Sequence, residues 1–176
     1  LNDIHTLKDL TKVKRVVLDS VKKDGWAIIN ADDEYSIRLI SDLDCQVALF
    51  SLDENNPHIQ QFSKEGKITC VYEDGFVTIK KGEWKIRIER VKNIPITIEG
   101  KAKFMISNVL AASLAAYVYG FEIQNIALAL TTFIPNAQLT PGRLNIFKFK
   151  NFKVMIDFAH NPAGYEAIED FLNNIE

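Results

Sequence analysis

The sequence predicts an α/β fold built in two pieces. Through the first 72 residues, short apolar runs alternate with segments whose apolar residues recur every three or four positions. This alternation favours a largely parallel sheet flanked by helices. Near the end of the chain, an irregular segment with Pro135 and Pro141 precedes a final pair of strands and a helix. We place a boundary in that segment and expect domains at 1–139 and 140–176.

The predicted elements begin with a capped amphipathic helix. Thr6 is followed three residues later by Asp9, which is the spacing of a capping box, and apolar residues then recur at helical spacing as far as Val21. One face of this helix is expected to pack against the rest of the protein. The elements expected next are a strand at 26–30, a second helix from 31 to 43, a strand at 46–51, a helix at 57–64 and a strand at 67–72.

The pattern changes in the middle of the chain. Trp84, Ile86 and Ile88 alternate with charged residues, which predicts a hairpin strand with one solvated face. Helical spacing returns after Gly100 and ends at Gly120. The elements expected here and beyond are strands at 76–80, 84–90 and 94–98, helices at 104–119 and 123–130, strands at 146–149 and 152–158, and a helix that begins at Pro162.

Composition excludes several classes of protein. The chain is 47% apolar and 25% charged, as in ordinary globular proteins, and its net charge is only −2 with scattered basic residues, which argues against a nucleic-acid partner. Its longest nearly apolar run, 109–121, is shorter than the roughly 20 residues of a membrane span. We expect a cytoplasmic protein with reduced Cys45 and Cys70 and no membrane contact. Because the chain begins at Leu1 rather than Met, we also expect an excerpt of a longer protein.

The sharpest motif lies where the last predicted strand meets the last predicted helix. The run Val154–Pro162 delivers Asp157, His160 and Asn161 to the C-terminal end of a strand. Ligands bind at that edge of open α/β sheets, because side chains at strand ends and the free N–H groups of the next helix converge there. Asp157 can accept from a ribose hydroxyl, and His160 can contact a phosphate or carboxylate. Alternatively, Asp157 and Asn161 only cap the turn and the helix.

Two further polar residues are candidates for ligand contacts. Arg143 follows Pro141 and Gly142 at the expected boundary, where a guanidinium can close on a nucleotide phosphate when two domains approach. The alternative is a solvated surface arginine. Asn108 lies inside an apolar helix, where an amide is costly unless it meets a partner such as a neighbouring backbone or a purine edge.

The first junction between a strand and a helix carries Asn30, Asp32 and Asp33. The two carboxylates favour a helix N-terminus through capping and the helix dipole, and capping is the alternative to a ligand role. His5 and His58 lack a second ligand at metal-binding spacing, so no metal site is predicted. The sequence contains no G-x-x-x-x-G-K-[ST] loop, so a triphosphate-binding loop would have to come from outside these 176 residues.

Four motifs occur in the order and spacing of the Mur ligase family, and the chain resembles that family over essentially its whole length. The motifs are Asn30–Asp33, Asn108–Ala112, Pro141–Arg143 and Asp157–Pro162. The resemblance implies that 1–139 is the second half of a central nucleotide-binding domain. It implies that 140–176 is the start of a Rossmann-like C-terminal domain.

The resemblance also assigns each candidate residue a place. Asn108 would lie by the adenine, and Arg143 and Asp157 would contact the nucleotide across the hinge between the domains. His160 and Asn161 would face the active cleft. Asn30, Asp32 and Asp33 would shape the nucleotide side of the central domain.

The chemistry implied by the resemblance is amide ligation. Family members use ATP and Mg²⁺ to activate a carboxylate as an acyl phosphate, and an amine then displaces phosphate to leave an amide and ADP. Within the family, Thr140–Phe147 and Asn161–Ala167 are most similar to ligases, expected as homo-oligomers, that add arginine to the β-carboxylates of poly-aspartate. Alternatives are a peptidoglycan ligase, a folylpolyglutamate synthetase or a non-catalytic nucleotide-binding module. Without the phosphate-binding loop, we expect no catalysis by this chain alone.

Overall fold

A computed structural model describes residues 4–175 and contains one five-stranded and one two-stranded sheet. The larger sheet has the order β1-β2-β3-β4-β5; β1, β2 and β3 are parallel, and β4 and β5 complete it in antiparallel register. Its strands are β1 Trp26–Asn30, β2 Gln46–Ser51, β3 Ile68–Glu73, β4 Phe76–Lys81 and β5 Trp84–Arg90. The smaller sheet pairs β6 Asn145–Lys148 with β7 Lys153–Ile156. The predicted α/β class is confirmed.

Six α-helices accompany the sheets over the described residues. They are α1 Leu7–Asp19, α2 Glu34–Ile37, α3 Pro57–Lys64, α4 Lys103–Tyr119, α5 Ile123–Thr132 and α6 Pro162–Asn173. The predicted capping box is present on α1, because the Thr6 hydroxyl accepts from the backbone N–H of Asp9 and the Asp9 carboxylate accepts from that of Thr6. Gly120 ends α4 in the left-handed conformation, with φ of 105°. No helix within residues 4–175 is long and apolar enough to cross a bilayer.

The larger sheet is covered on both faces. On one face, Ala48 and Phe50 of β2 belong to the same buried cluster as Val109 and Leu110 of α4. On the other face, Leu49 clusters with residues of α3. This alternation explains why β2 reads as a continuous apolar run: successive side chains point to opposite faces, and both faces are buried.

A third cluster joins the larger sheet's helix α4 to the C-terminal strands and helix. Ala102 and Met105 pack with Leu144 and Phe171, and Phe171 is fully buried. The ring of Phe171 meets that of Phe104 edge to face, with centroids 6.3 Å apart. This apolar contact sets the spacing between α4 and the C-terminal unit.

Two predicted elements are wrong in extent or type. The strand expected at 94–98 is instead a 3₁₀ turn, Pro95–Thr97, which follows another at Val91–Asn93. Pro95 has no N–H to donate to a ladder, and the buried hydroxyl of Thr97 donates to the Val91 carbonyl oxygen at 2.7 Å, which closes the turn.

The second helix is also shorter than expected. It ends at Ile37, and a 3₁₀ turn at Ile40–Asp42 follows. The buried cluster of Leu49 and the α3 residues is also contacted by Ile37, Ile40 and Leu43. The short helix and the following 3₁₀ turn thus place all three side chains against the core without the continuous α-helix that the sequence predicts.

Helix α1 does not bury the apolar face predicted for it. Val13, Val16 and Val17 are 51%, 62% and 73% exposed, and no residue of α1 is buried. The expectation that one face packs against the described protein is therefore largely wrong. Leu18, near its end, is the residue of α1 that reaches the core.

Candidate functional site

A cleft of about 670 Å³ opens between the N-terminal half of α4 and the C-terminal unit. It brings together residues that are far apart in sequence, and several of them are the predicted candidates: Asn108, Arg143, Asp157, His160 and Asn161. Apolar side chains, among them Phe104 and Met105, line it together with this polar set. The lining of the cleft therefore combines a guanidinium, a carboxylate, amides and an imidazole with apolar surface.

Arg143 is an exposed side chain on the turn that enters β6. Its guanidinium carbon lies 5.4 Å from the centroid of the Phe158 ring, a cation–π contact. Within residues 4–175 the guanidinium forms no ion pair or hydrogen bond. Its positive charge therefore remains available to an anionic ligand in the cleft.

Asp157 follows β7 and is half-buried. Its Oδ2 accepts a hydrogen bond from the backbone N–H of Leu144 at 2.9 Å. Its Oδ1 accepts no hydrogen bond within the described residues. The hydrogen bond from Leu144 ties the end of β7 to the turn before β6 and does not cap α6, so Asp157 does not make the capping contact expected as its alternative role. The other carboxylate oxygen is available to a hydroxyl in the cleft.

Asn161 and His160 also use part of their hydrogen-bonding capacity locally. Asn161 is the N-cap of α6, and its Oδ1 accepts from the backbone N–H of Gly164 at 2.8 Å. His160 Nδ1 lies 3.0 Å from the carbonyl oxygen of Phe158, which can only accept, so Nδ1 carries a proton. Nε2 of His160 is left to contact a ligand.

Asn108 is exposed on α4 rather than buried, so the expected cost of a buried amide does not arise. Its Nδ2 lies 3.7 Å from the sulfur of Met105, a weak contact. Asn108 also lines a second, largely apolar cavity of about 560 Å³ between α4 and α5. The amide therefore stands on the wall between two cavities.

The first candidate cluster lies elsewhere, at the C-terminal ends of β1 and β2. Asn30 Oδ1 accepts from the N–H of Asp32 at 2.9 Å. The Asp32 carboxylate accepts from the hydroxyl of Ser51 at 2.5 Å and from the N–H of Leu52 at 2.9 Å. Asp33 is the N-cap of α2. These residues do not line the cleft. The capping alternative describes Asp33, whereas Asp32 instead ties the end of β1 to the segment that follows β2.

Metal-binding side chains do not cluster in the part of the chain that the structure describes. Across residues 4–175, no group of three or more histidine, cysteine, aspartate or glutamate side chains has an arrangement that could hold a metal ion. A divalent cation in the cleft would therefore depend on ligands other than such a cluster.

Comparison of the sequence with known protein families identifies the family to which the chain belongs. The model of the Mur ligase middle domain matches residues 1–116. The chain belongs to the Mur ligase family.

Among individual proteins, this Mur ligase chain is similar to cyanophycin synthetase from Geminocystis herdmanii, with 45% identity over 174 residues. That match covers 99% of this chain and 20% of that protein. A UDP-N-acetylmuramoyl-L-alanyl-D-glutamate--2,6-diaminopimelate ligase from Phocaeicola vulgatus is 28% identical over 175 residues, 98% of this chain and 31% of the ligase. The chain thus spans about a fifth of the length of the cyanophycin synthetase.

Among solved structures, the crystal structure of MurF from Acinetobacter baumannii superposes on the Mur ligase chain with a TM-score of 0.65. The match covers 96% of this chain and 34% of MurF, at 14% sequence identity. At that identity the likeness concerns the fold alone. It supports the α/β architecture in both the larger and the smaller sheet regions.

One cleft residue of this Mur ligase chain, and one residue that supports the cleft from outside, were not predicted as candidates. Phe158 lines the cleft under Arg143 and enters the sequence prediction only as part of the motif that contains Asp157. Asn145 is 6% exposed and hydrogen-bonds the turn that carries Arg143. The sequence feature that could have identified Asn145 is a polar side chain at the start of an otherwise apolar strand, where a buried amide requires hydrogen-bond partners.

Proposed function

We propose that the chain is part of an ADP-forming amide ligase and that the cleft holds the nucleotide of that enzyme. The observation that carries the proposal is the convergence of Asn108, Arg143 and Asp157 on one cavity, from α4, the interdomain turn and the end of β7. Membership of the Mur ligase family supports ligation as the reaction class. We place the domain boundary at residues 139 and 140, just before the turn that carries Arg143.

The cleft suits a nucleotide in three respects. The guanidinium of Arg143 is free to pair with phosphate oxygens, which are the anions it binds best through two parallel hydrogen bonds. The free Oδ1 of Asp157 can accept from a ribose hydroxyl. The exposed amide of Asn108 offers both a donor and an acceptor, as a purine edge requires.

His160 and Asn161 take supporting places in this proposal. Both line the cleft at the N-terminus of α6, where the helix dipole favours negative charge. Nε2 of His160 and the amide N–H groups of Asn161 make no hydrogen bonds within residues 4–175. They are positioned to hold an anionic group of the nucleotide or of the substrate carboxylate.

We propose ATP as the nucleotide and Mg²⁺ as its counter-ion. Mg²⁺ in enzymes is usually held by one or two carboxylates together with the substrate phosphates. The ion would therefore enter the cleft with the nucleotide and needs no cluster of three protein ligands, of which the described residues contain none. The sequence has no glycine-rich loop with the P-loop lysine. We therefore expect these 176 residues alone to bind nucleotide weakly and to transfer no phosphoryl group.

The substrates proposed for the parent enzyme are arginine and the β-carboxylates of a poly-aspartate chain. The support is the identity of 45% to a cyanophycin synthetase, against 28% to a ligase of diaminopimelate, each over nearly the whole of this chain. The parent is proposed to act in the cytoplasm as a homo-oligomer.

The test is release of ADP by the complete parent protein with magnesium and ATP. A poly-aspartate primer with arginine is compared with a muramyl-peptide acceptor plus diaminopimelate and with a folate plus glutamate. We expect release that requires both the primer and arginine. Release only with another pair would assign the parent to that ligase class, and no release with any pair would favour a non-catalytic nucleotide-binding module.

A further inference from the structure

The turn that carries Arg143, residues 140–144, is held by the side chain of one buried asparagine. Asn145 Oδ1 accepts from the backbone N–H of Gly142 at 2.8 Å. Its Nδ2 donates to the carbonyl oxygen of Thr140 at 3.0 Å and to that of Arg143 at 3.3 Å. The nitrogen and the oxygen of the Asn145 amide are therefore both used on residues 140–143.

This turn needs support because two of its residues have left-handed backbones. Gly142 has φ of 66°, and Leu144 has φ of 51°, a conformation that an L-residue with a branched side chain rarely adopts. One backbone hydrogen bond crosses the turn, from the N–H of Arg143 to the carbonyl oxygen of Thr140 at 3.1 Å. The other hydrogen bonds come from the side chains of Asn145 and Asp157.

The guanidinium of Arg143 has little of its own to orient it. It contacts the face of Phe158, and within residues 4–175 it makes no hydrogen bond or ion pair. Because Phe158 is itself 62% exposed, that ring is a weak anchor. The direction in which Arg143 points is therefore set mainly by the backbone that Asn145 holds.

We propose that Asn145 is a positioning residue that aims Arg143 at the nucleotide. This inference rests on the proposed function, since it presumes that Arg143 contacts a nucleotide in the cleft. Asn145 itself does not line the cleft and acts only through the turn. Removal of its amide frees the backbone at Gly142 and lets the guanidinium leave the position that favours phosphate binding.

A double-mutant cycle separates positioning from a merely structural role. In the complete parent protein, ATP affinity is measured by calorimetry for the wild type, Asn145→Ala, Arg143→Ala and the double variant. We expect each single substitution to weaken ATP binding by about tenfold, as for the loss of one charge-assisted contact. In the Arg143→Ala background, Asn145→Ala should weaken binding by less than about twofold further, because the residue through which it acts is gone.

A matched control and a milder variant accompany the cycle. Asn93→Ala removes an asparagine whose amide donates to Glu89 at 2.8 Å, outside the cleft, and should leave ATP affinity unchanged. Asn145→Ser keeps a hydroxyl that can serve one of the three hydrogen bonds, and should give an intermediate loss if Asn145→Ala folds poorly. Thermal melting of every variant identifies losses that are due to unfolding.

Several outcomes would overturn the proposal. If the loss of ATP affinity in the double variant equals the product of the two single losses, Asn145 and Arg143 act independently. If Asn145→Ala lowers the melting temperature but leaves ATP affinity unchanged, the role of Asn145 is structural alone. Failure of the ligase proposal is distinguishable, because a wild-type parent that binds ATP but releases no ADP leaves the cycle measurable. A wild-type parent with no affinity for ATP would overturn both proposals.

Discussion

At the scale of single residues, the same side chains serve the fold and the cleft. Asp157 uses one carboxylate oxygen to hold the backbone of Leu144 and leaves the other free. Asn161 caps α6 with its oxygen and leaves its amide N–H groups free. For Asn161, capping and ligand binding are therefore compatible, because its side chain has more than one polar atom. Asp157 likewise combines a hydrogen bond that supports the fold with a free oxygen, although that hydrogen bond does not cap α6.

Elsewhere in the molecule, buried charge links stability to pH. Glu73 is 5% exposed and contacts the ammonium groups of Lys80 at 2.6 Å and Lys85 at 3.2 Å. Burial acts to raise the pKa of Glu73, but the hydrogen bonds from the two lysines outweigh it and hold the pKa below its ordinary value. A depressed pKa in the folded state stabilises the fold above the unfolded pKa, about 4.3.

This stabilisation is lost as the pH falls through the folded pKa of Glu73. We expect the free energy of unfolding to decline below about pH 4.3, and Glu73→Gln to flatten that decline while lowering stability at neutral pH. Denaturant unfolding at a series of pH values provides the measurement. Asp74→Asn is the matched control, because Asp74 is an exposed carboxylate paired with Arg87, and exposed pairs contribute little. An equal flattening by Asp74→Asn would contradict this account.

At the scale of elements, periodicity predicted the regular parts of the fold well. Helix α4 and strand β2 appear where their apolar patterns placed them, because each buries the faces that the pattern marks. The spacing predicts a strand at 94–98, where the structure has the turn Pro95–Thr97, because the geometry of that turn depends on a hydroxyl hydrogen bond that spacing does not reveal. The exposure of α1 depends on which neighbours are present, which local sequence cannot show.

The hairpin β6–β7 exposes an apolar outer face. Its inner face packs, through Ile146 and Met155, on the third cluster, which contains Met105 and Phe171. Its outer face carries contiguous apolar side chains, each 38–59% exposed, namely Phe147, Phe149, Phe152, Val154 and Ile156. The Phe149 and Phe152 rings stack with centroids 4.7 Å apart. A contiguous exposed apolar surface of this kind favours association.

We expect the 176-residue chain to self-associate through this face. Replacement of Phe149 and Phe152 by threonine, which keeps strand propensity, should shift the chain toward monomer. Sedimentation velocity over a range of concentrations measures the shift. The control pair is Tyr119 and Phe121, also stacked and exposed but at the end of α4, and its replacement should change association less. A wild-type chain that stays monomeric at high concentration would refute the prediction.

At the scale of the whole molecule, the cleft depends on contacts between distant parts of the chain. The motif order of the Mur ligase family suggested that Asn108, Arg143 and Asp157 act together, and the structure places all three on one cavity. Composition and periodicity alone could not have done so, because they describe neighbours in sequence. The packing of Met105 against Phe171 brings the two regions together, and it is a tertiary contact without a local signal.

The central claim is that the cleft is the nucleotide site. Two junctions between a strand and a helix, one at the cleft and one away from it, provide a matched test. Asp157 and Asp33 each follow a strand, and each accepts a hydrogen bond from a backbone N–H, that of Leu144 or Tyr35, but of the two only Asp157 lines the cleft. Asparagine at either position retains an oxygen for that hydrogen bond and removes the negative charge. The two substitutions therefore differ mainly in what the second oxygen contacts.

The most direct measurement is the ATP affinity of the complete parent protein with Asp157→Asn or Asp33→Asn, determined by calorimetry in the presence of magnesium. Loss of a charge-assisted hydrogen bond to the nucleotide should weaken binding by roughly tenfold for Asp157→Asn. Asp33→Asn should leave the affinity within about twofold of wild type, because asparagine caps a helix as well as aspartate does. An unchanged affinity for Asp157→Asn, or an equal loss for Asp33→Asn, would contradict the assignment of the nucleotide to this cleft.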